Sequence, residues 1–374
     1  LTTAEPFLHT YARYPIELVS GQGLRVQDSQ GRWYLDGIAG IAVMALGHGH
    51  PAVLRAVHAQ VDRLMHTSNL YHLGVQRALA TLLSETFGGA AVFFGNSGTE
   101  ANEAAVKLVR KHHWRRGDPR HEIIVLEHAF HGRTLMSLAM TPKPAYQEGY
   151  GPLPEGVKVC AVEQAAAAVC DRTAAVFVEP VQGEGGCHPV EILAELRAAC
   201  DAHGALLVYD EIQSGLGRTG SLRHAPEPDL RTLAKALGGG LPLGAVVAGP
   251  ALAETFRPGD HGSTFGGNPV ACAAGLATLQ TILADDLAGR CLHLGARLRA
   301  GLEATGVEVT GKGLIQGAHL GRAAGPVVDA MRQRGVLVCP AGPEVVRFLP
   351  PYIIDEGGID ELVAAFAGAL AETA

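Results

Sequence analysis

Leu206-Leu-Val-Tyr-Asp-Glu-Ile-Gln213 opens with an unbroken apolar run and ends on a carboxylate. Unbroken rather than alternating hydrophobicity marks a strand covered on both faces, and such strands belong to parallel sheets held between helical layers. The signature recurs in Ala91-Val-Phe-Phe94, Glu122-Ile-Ile-Val-Leu-Glu127, Ala174-Ala-Val-Phe-Val-Glu-Pro180 and Ala245-Val-Val-Ala-Gly249. Helix-like stretches, 101–110 and 191–203 among them, alternate with these runs. The pattern predicts an α/β fold, a mostly parallel sheet wrapped by helices.

On the N-terminal side of this core, Gly23 to Asp36 reads as a hairpin turning at Asp28-Ser-Gln-Gly31. Pro51 then opens a helix expected to carry Val53, Leu54, Val57, Val61 and Leu64 on one face. Beyond the core, Asn268-Pro269 caps an Ala-rich helix, and an α+β tail follows with helices near 292–303 and 359–370. Three parts are expected: residues 1–45 as an N-terminal segment packing with a small domain, 46–268 as the large domain, and 269–374 as the C-terminal small domain.

With 374 residues, 47% of them hydrophobic and 18% charged, the chain can bury a large core. The net charge of −7 and the dispersed basic residues argue against nucleic acid and a polybasic membrane surface as partners. No apolar run reaches the roughly 18 residues of a membrane span, and the first residues lack the pattern of a secretory leader. Seven cysteines, an odd number without a C-x-x-C, suggest a reducing cytoplasm. His48 with His50, and His128 with His131, lack metal-ligand spacings, so no metal site is expected.

Lys235 lies 25 positions after Asp210, in Thr232-Leu-Ala-Lys-Ala-Leu-Gly-Gly-Gly-Leu-Pro242. A lysine among Leu, Ala and Gly either snorkels to the surface or is poorly solvated, and in the second case its neutral amine can attack an aldehyde to form a Schiff base. A carboxylate at the strand end can hold a pyridinium nitrogen positive, and the two together are the electronic minimum for pyridoxal phosphate chemistry.

Six other stretches bear on the choice. Phe94-Gly-Asn-Ser-Gly-Thr-Glu-Ala-Asn102 follows a strand and opens a helix, placing the amides of Ser97, Gly98 and Thr99 where a phosphate can bind, unless the turn is merely capped. Phe130-His-Gly-Arg-Thr134 presents a ring that can stack on a planar cofactor and, in Arg133, a fork for a carboxylate. Glu184 rides a Gly-rich turn, while Arg347 sits in an apolar strand and needs a carboxylate from the protein or from a substrate. Ser263 and Thr264 offer hydroxyls to phosphate or substrate oxygens. Gly215-Leu-Gly-Arg-Thr-Gly220 matches a dinucleotide fingerprint but runs into a Pro-broken loop, so its glycines are expected to pass close to a cofactor or a partner subunit.

Taken in order, Asn96-Ser-Gly-Thr-Glu-Ala-Asn-Glu103, Phe130-His-Gly-Arg-Thr134, Glu179-Pro-Val-Gln-Gly-Glu-Gly-Gly186, Asp210-Glu-Ile-Gln213, Thr232-Leu-Ala-Lys-Ala-Leu-Gly-Gly-Gly240 and Ser263-Thr-Phe-Gly-Gly-Asn-Pro269 resemble the class III (ω-amino) aminotransferases of the type I pyridoxal phosphate fold. The likeness runs from about Tyr14 to Ile354. It implies that Lys235 bonds the cofactor and moves protons, that Asp210 faces the ring nitrogen and that Gln213 faces the phenolic oxygen. It further implies that Phe130 stacks on the ring, that His131 and Ile212 line it, and that Ser97, Gly98 and Thr99 hold the phosphate.

Thr264 would reach the phosphate of a second subunit, with Ser263 near substrate, which makes a homodimer the expected assembly. Arg133 would hold the donor's α-carboxylate and Arg347 that of 2-oxoglutarate or glutamate, with Glu184 shielding Arg347 in the other half-reaction. The expected reaction moves the terminal amine of N2-acetylornithine, or a close acylated diamine, to 2-oxoglutarate, as in arginine synthesis. Carrier-linked or acylated lysine in lysine synthesis, succinylornithine, ornithine and 4-aminobutyrate are alternative donors. A racemase or mutase on the same cofactor, or a non-catalytic binding protein, are the readings from other classes. Met44 and the short stretch 221–229 depart from the family pattern and are expected at the substrate entrance.

Overall fold

The computed structural model describes residues 7–374, so residues 1–6 of the expected N-terminal segment lie outside it. The apolar runs form a seven-stranded sheet: β1 (Ala91–Gly95), β2 (Glu122–Leu126), β3 (Val157–Cys160), β4 (Thr173–Val178), β5 (Leu206–Asp210), β6 (Leu230–Leu233) and β7 (Gly244–Ala248). Their order is β1-β7-β6-β5-β4-β2-β3. Only β7 runs against its neighbours, pairing antiparallel with both β1 and β6. The remaining pairs are parallel.

The unbroken hydrophobicity has the expected cause. Ile123, Val125, Phe177, Leu206 and Val208 face one apolar layer with Ala101, Ala105 and Leu108 of helix Gly98–Arg115. Their neighbours Ile124, Leu126, Val176, Leu207 and Tyr209 face the opposite layer with Leu196 and Cys200 of helix Leu193–His203. Because side chains alternate along a strand, both registers must be apolar when both faces are buried.

Two strands carry weaker sequence signals. Val157–Cys160 pairs only with β2, and it carries Lys158 and buries only Cys160 fully, as an edge strand tolerates. Leu230–Leu233 contains Arg231 and Thr232, yet all four residues are buried. Arg231 tolerates this because its guanidinium meets both carboxylate oxygens of Glu211, at 2.8 and 2.9 Å.

Strand Trp33–Asp36 of the N-terminal hairpin pairs in parallel with Val336–Leu337 from the far end of the chain. A second four-stranded sheet, Glu308–Lys312, Ile315–His319, Val345–Phe348 and Cys339–Pro340, packs with helices Leu287–Glu303 and Glu356–Glu372. Phe348 and Phe366 meet there edge-to-face, 5.5 Å between centroids. Helix Pro269–Ala284 is capped by Asn268, whose side chain accepts from the Val270 and Ala271 amides. It is apolar all round because its sides are buried in the same core as helices Pro51–Val61, Gly74–Phe87 and Leu287–Glu303. No single helix among the described residues is long and apolar enough to cross a membrane.

Two expectations change. Helix Pro51–Val61 turns Val53, Ala56 and Val57 inward, at the spacing of one helical face, leaves Leu54 and Val61 exposed, and ends before Leu64, which is exposed as well. The glycines of 215–220 have a packing use within the chain itself. A Cβ on Gly217 would stand 3.1 Å from Ala288, and one on Gly220 2.7 Å from Leu292, so they let helix Leu287–Glu303 approach the loop. Stretch 221–229 lies behind the sheet rather than at an entrance, where His224 bonds Glu211 and Glu227 pairs with Arg231.

Phe366→Ala removes a ring that is fully buried against Phe348. A loss of about 3–5 kcal/mol is expected, seen as a lower apparent Tm, and an unchanged Tm contradicts this packing.

Candidate active site

β6 ends at Leu233, and the backbone swings through Ala234 into a left-handed conformation at Lys235 (φ 45°) before the short turn Lys235–Gly238. A non-glycine residue pays for this conformation in strain, so its surroundings must fix it; Ala236, Leu237 and Gly238 are all buried. The turn aims the lysine into a cavity of about 470 Å³ whose walls include Ser97, Gly98, Thr99, Phe130, Asp210 and Gln213. Burial, and after it the nearby Arg347 cation, hold the Lys235 pKa below that of an ordinary lysine, against the pull of Glu184 and Asp210. The amine is thereby biased toward its nucleophilic, neutral form.

Asp210 reaches the cavity because it continues the Leu206, Val208 register of β5 toward helix Gly98–Arg115. Its Oδ2 accepts from Asn102 Nδ2 at 2.8 Å and pairs with His131 Nδ1 at 2.7 Å, and its Oδ1 accepts from the Ile212 amide at 3.1 Å. Burial works against a charge on His131, but the hydrogen bond to Asp210 and that carboxylate's charge outweigh it and raise the histidine's pKa. Asp210 is therefore held as a compensated anion facing the cavity. Asn102 had no signal in the sequence beyond its place in the helix motif.

At the same mouth, Ser97 caps helix Gly98–Arg115, its hydroxyl accepting from the Glu100 amide, while Glu100 reaches back to the Asn96 amide at 2.7 Å. The amides of Gly98 and Thr99, first in the helix, have no intrahelical acceptor and stand at the positive end of its dipole. Gly98 has to be glycine: a Cβ would stand 2.8 Å from the Ile212 side chain.

Arg347 enters from strand Val345–Phe348 and is 2% exposed. It donates to Glu184 Oε1 at 2.6 Å, to the Gly183 carbonyl at 2.9 Å and to Gln213 Oε1 at 3.0 Å. Burial alone would raise the Glu184 pKa, but Arg347 prevails and lowers it, so the pair is ionic. Glu179, at the start of this turn, went unremarked in the sequence. Its carboxylate accepts from the Phe130 amide at 2.9 Å and the Gly183 amide at 3.3 Å, tying the two loops together.

The opposite wall holds Phe130 and Arg133. Arg133 stacks its guanidinium 3.6 Å over the ring of Tyr146, a residue the sequence did not single out. Ser263 and Thr264 do not line this cavity. Ser263 Oγ accepts from Asn96 at 3.1 Å beside the helix mouth, whereas Thr264 and Phe265 are exposed, and His66 packs on Phe265. Val43 lines the cavity and Met44 stands behind its rim at Gly240.

The pieces fit pyridoxal phosphate: a poorly solvated lysine amine, a compensated anion for a ring nitrogen, and free helix-mouth amides for a phosphate surround one cavity. Comparison with known proteins agrees. A family model described as aminotransferase class-III matches residues 8–370. An acetylornithine aminotransferase of Mycolicibacterium smegmatis is 48% identical over 97% of this chain and 95% of its own. Among solved structures, N-acetylornithine aminotransferase from Stenotrophomonas maltophilia superposes with a TM-score of 0.85 at 37% identity, covering 98% of each chain. Ornithine aminotransferase from Toxoplasma gondii, crystallised with partial occupancy of pyridoxal phosphate at its active site, gives 0.94 at 30% identity, covering 98% of this chain and 92% of its own.

Burial is the leading cause that pushes the Glu179 pKa from 4.5 up to about 7, in spite of His131. A carboxyl raised in the folded state favours folding while protonated, and that contribution fades as pH rises from the unfolded value through the folded one. Between pH 5 and about 7.5 the apparent Tm of the cofactor-free protein should fall relative to Glu179→Gln; parallel Tm profiles contradict the assignment.

Proposed function

The chain belongs to the class-III aminotransferases, and from that membership we propose that it transfers the terminal amino group of N2-acetylornithine to 2-oxoglutarate, giving N-acetylglutamate 5-semialdehyde and glutamate. The observation that carries this reading is the Glu184–Arg347 pair, 2.6 Å apart, bonded to the cavity wall through Gln213 and near enough to Lys235 to act on its charge. The enzyme alternately binds a donor whose reacting amine is remote from its carboxylate and an acceptor whose reacting carbon adjoins one. A buried cation with its own removable anion meets both needs.

Pyridoxal phosphate, when bound, supplies an electron sink for the carbon that bears the amine. Lys235 would hold it through Nζ, and the same Nζ, when free of it, would carry the proton from the donor carbon. Asp210 keeps the ring nitrogen protonated, with Asn102 and His131 fixing its orientation. The Gly98 and Thr99 amides and Ser97 take the phosphate, Phe130 supplies a stacking face, and Ile212 closes the floor against Gly98. Gln213 has its Oε1 occupied by Arg347, leaving its Nε2 to donate to the phenolic oxygen.

Arg133 receives the donor's α-carboxylate while Glu184 covers Arg347. In the second half-reaction the α-carboxylate of 2-oxoglutarate displaces Glu184. Thr264 acts in a second copy of the chain, a homodimer supported by the exposed Met65, Leu70, Tyr71 and Phe265 around its loop. The curated relatives, named acetylornithine aminotransferases at 42–48% identity, favour the acylated ornithine over acylated lysine or 4-aminobutyrate as donor, in arginine synthesis. Seven unpaired cysteines accord with a cytoplasmic enzyme.

Single-turnover mixing with acetylornithine should bleach the absorbance of the lysine-bound cofactor faster than mixing with ornithine, 4-aminobutyrate or acylated lysine at equal concentration. No bleaching by any acylated diamine contradicts the donor assignment. Glu184→Ala leaves Arg347 unshielded, so the kcat/KM ratio of acetylornithine to glutamate should fall by roughly tenfold or more. An unchanged ratio rules out the exchange.

A further inference from the structure

Arg133 is the one proposed substrate grip that has no carboxylate of its own. Among the described residues no ion pair engages it, although it is exposed. What holds it is aromatic: its guanidinium lies 3.6 Å from the centroid of Tyr146 and 5.8 Å from that of Phe130, and the two rings meet edge-on. A stacked guanidinium keeps its in-plane N–H donors free, so the ring face orients the fork without consuming it. An ion-paired arginine would instead have to break a bond for each substrate.

Tyr146 itself is placed by the short segment that carries it. Lys143, three residues earlier, lies 5.4 Å from the same ring, and its Nζ donates to the Glu184 carbonyl at 3.2 Å. Gln147, one residue later, donates to the carbonyls of Leu138 and Thr141, both at 3.0 Å. The turn is thus tied to the loop bearing Glu184 on one side and, on the other, to the C-terminal end of helix Leu135–Ala139, which begins two residues after Arg133.

We infer that Tyr146 is a specificity-determining positioning residue, whose ring face seats the Arg133 guanidinium for the donor's α-carboxylate. The inference rests on the reading of Arg133 as the donor's carboxylate grip. A free arginine side chain must be ordered when the carboxylate arrives, and that cost falls on carboxylate-bearing donors alone.

The test compares acetylornithine with N-acetyl-1,4-diaminobutane, the same donor without its carboxylate, in single turnovers of the cofactor-loaded enzyme. Tyr146→Ala should lower kcat/KM for acetylornithine by roughly three- to tenfold, mainly through KM, and leave the decarboxylated donor within about twofold. Tyr146→Phe, which keeps the face and loses the hydroxyl, should restore acetylornithine. Equal losses for both donors, or a Phe variant as impaired as Ala, overturn the inference. If the unsubstituted enzyme ignores acetylornithine, the donor assignment alone fails, and the seat is then judged on whichever carboxylate-bearing amine bleaches the absorbance, against its decarboxylated counterpart.

Discussion

A guanidinium buried as deeply as Arg347 must keep an anion beside it, and that requirement organises the chamber around Lys235. Glu184 meets it, but on a Gly-rich turn rather than on a strand, so the anion can leave when a substrate carboxylate replaces it. The carbonyl of Gly183 and Oε1 of Gln213 stay as the fixed share of the solvation. The cation is permanent and its counter-charge is exchangeable. Arg347 also helps keep the Lys235 amine below its ordinary pKa, so the carboxylate site and the nucleophile are electrostatically linked.

The same rule governs the end of β5, where two consecutive carboxylates emerge on opposite sides of a sheet buried on both faces. Asp210 turns toward helix Gly98–Arg115 and is satisfied by Asn102, His131 and the Ile212 amide. Glu211 turns the other way and is satisfied by Arg231 and His224. The second cluster touches no part of the Lys235 cavity, yet it anchors the strand end from behind. One carboxylate is committed to structure, which leaves the other available to chemistry.

Much of this was legible in the sequence where a residue type carries its own constraint. Unbroken apolar runs gave both faces of β2, β4 and β5, the Ser97-Gly-Thr-Glu100 stretch gave a helix mouth, and Lys235 among apolar neighbours left two readings, of which its burial selects the desolvated amine. What stayed hidden depends on partners distant along the chain. β6 is masked by Arg231 until Glu211 is known to neutralise it. Glu179, Asn102 and Tyr146 are ordinary residues in local context and acquire meaning only from the loops they meet. Thr264, read as reaching the phosphate of a second subunit, is exposed and lies outside its own chain's cavity.

The most direct test of the account is a crystal structure of the cofactor-loaded enzyme with glutarate, a dicarboxylate that cannot react. The account predicts that a glutarate carboxylate occupies Arg347 and that Glu184 has moved out of the 2.6 Å contact, with the Gly183 and Gln213 bonds retained. Glutarate bound in the cavity with Glu184 still paired to Arg347 would contradict it.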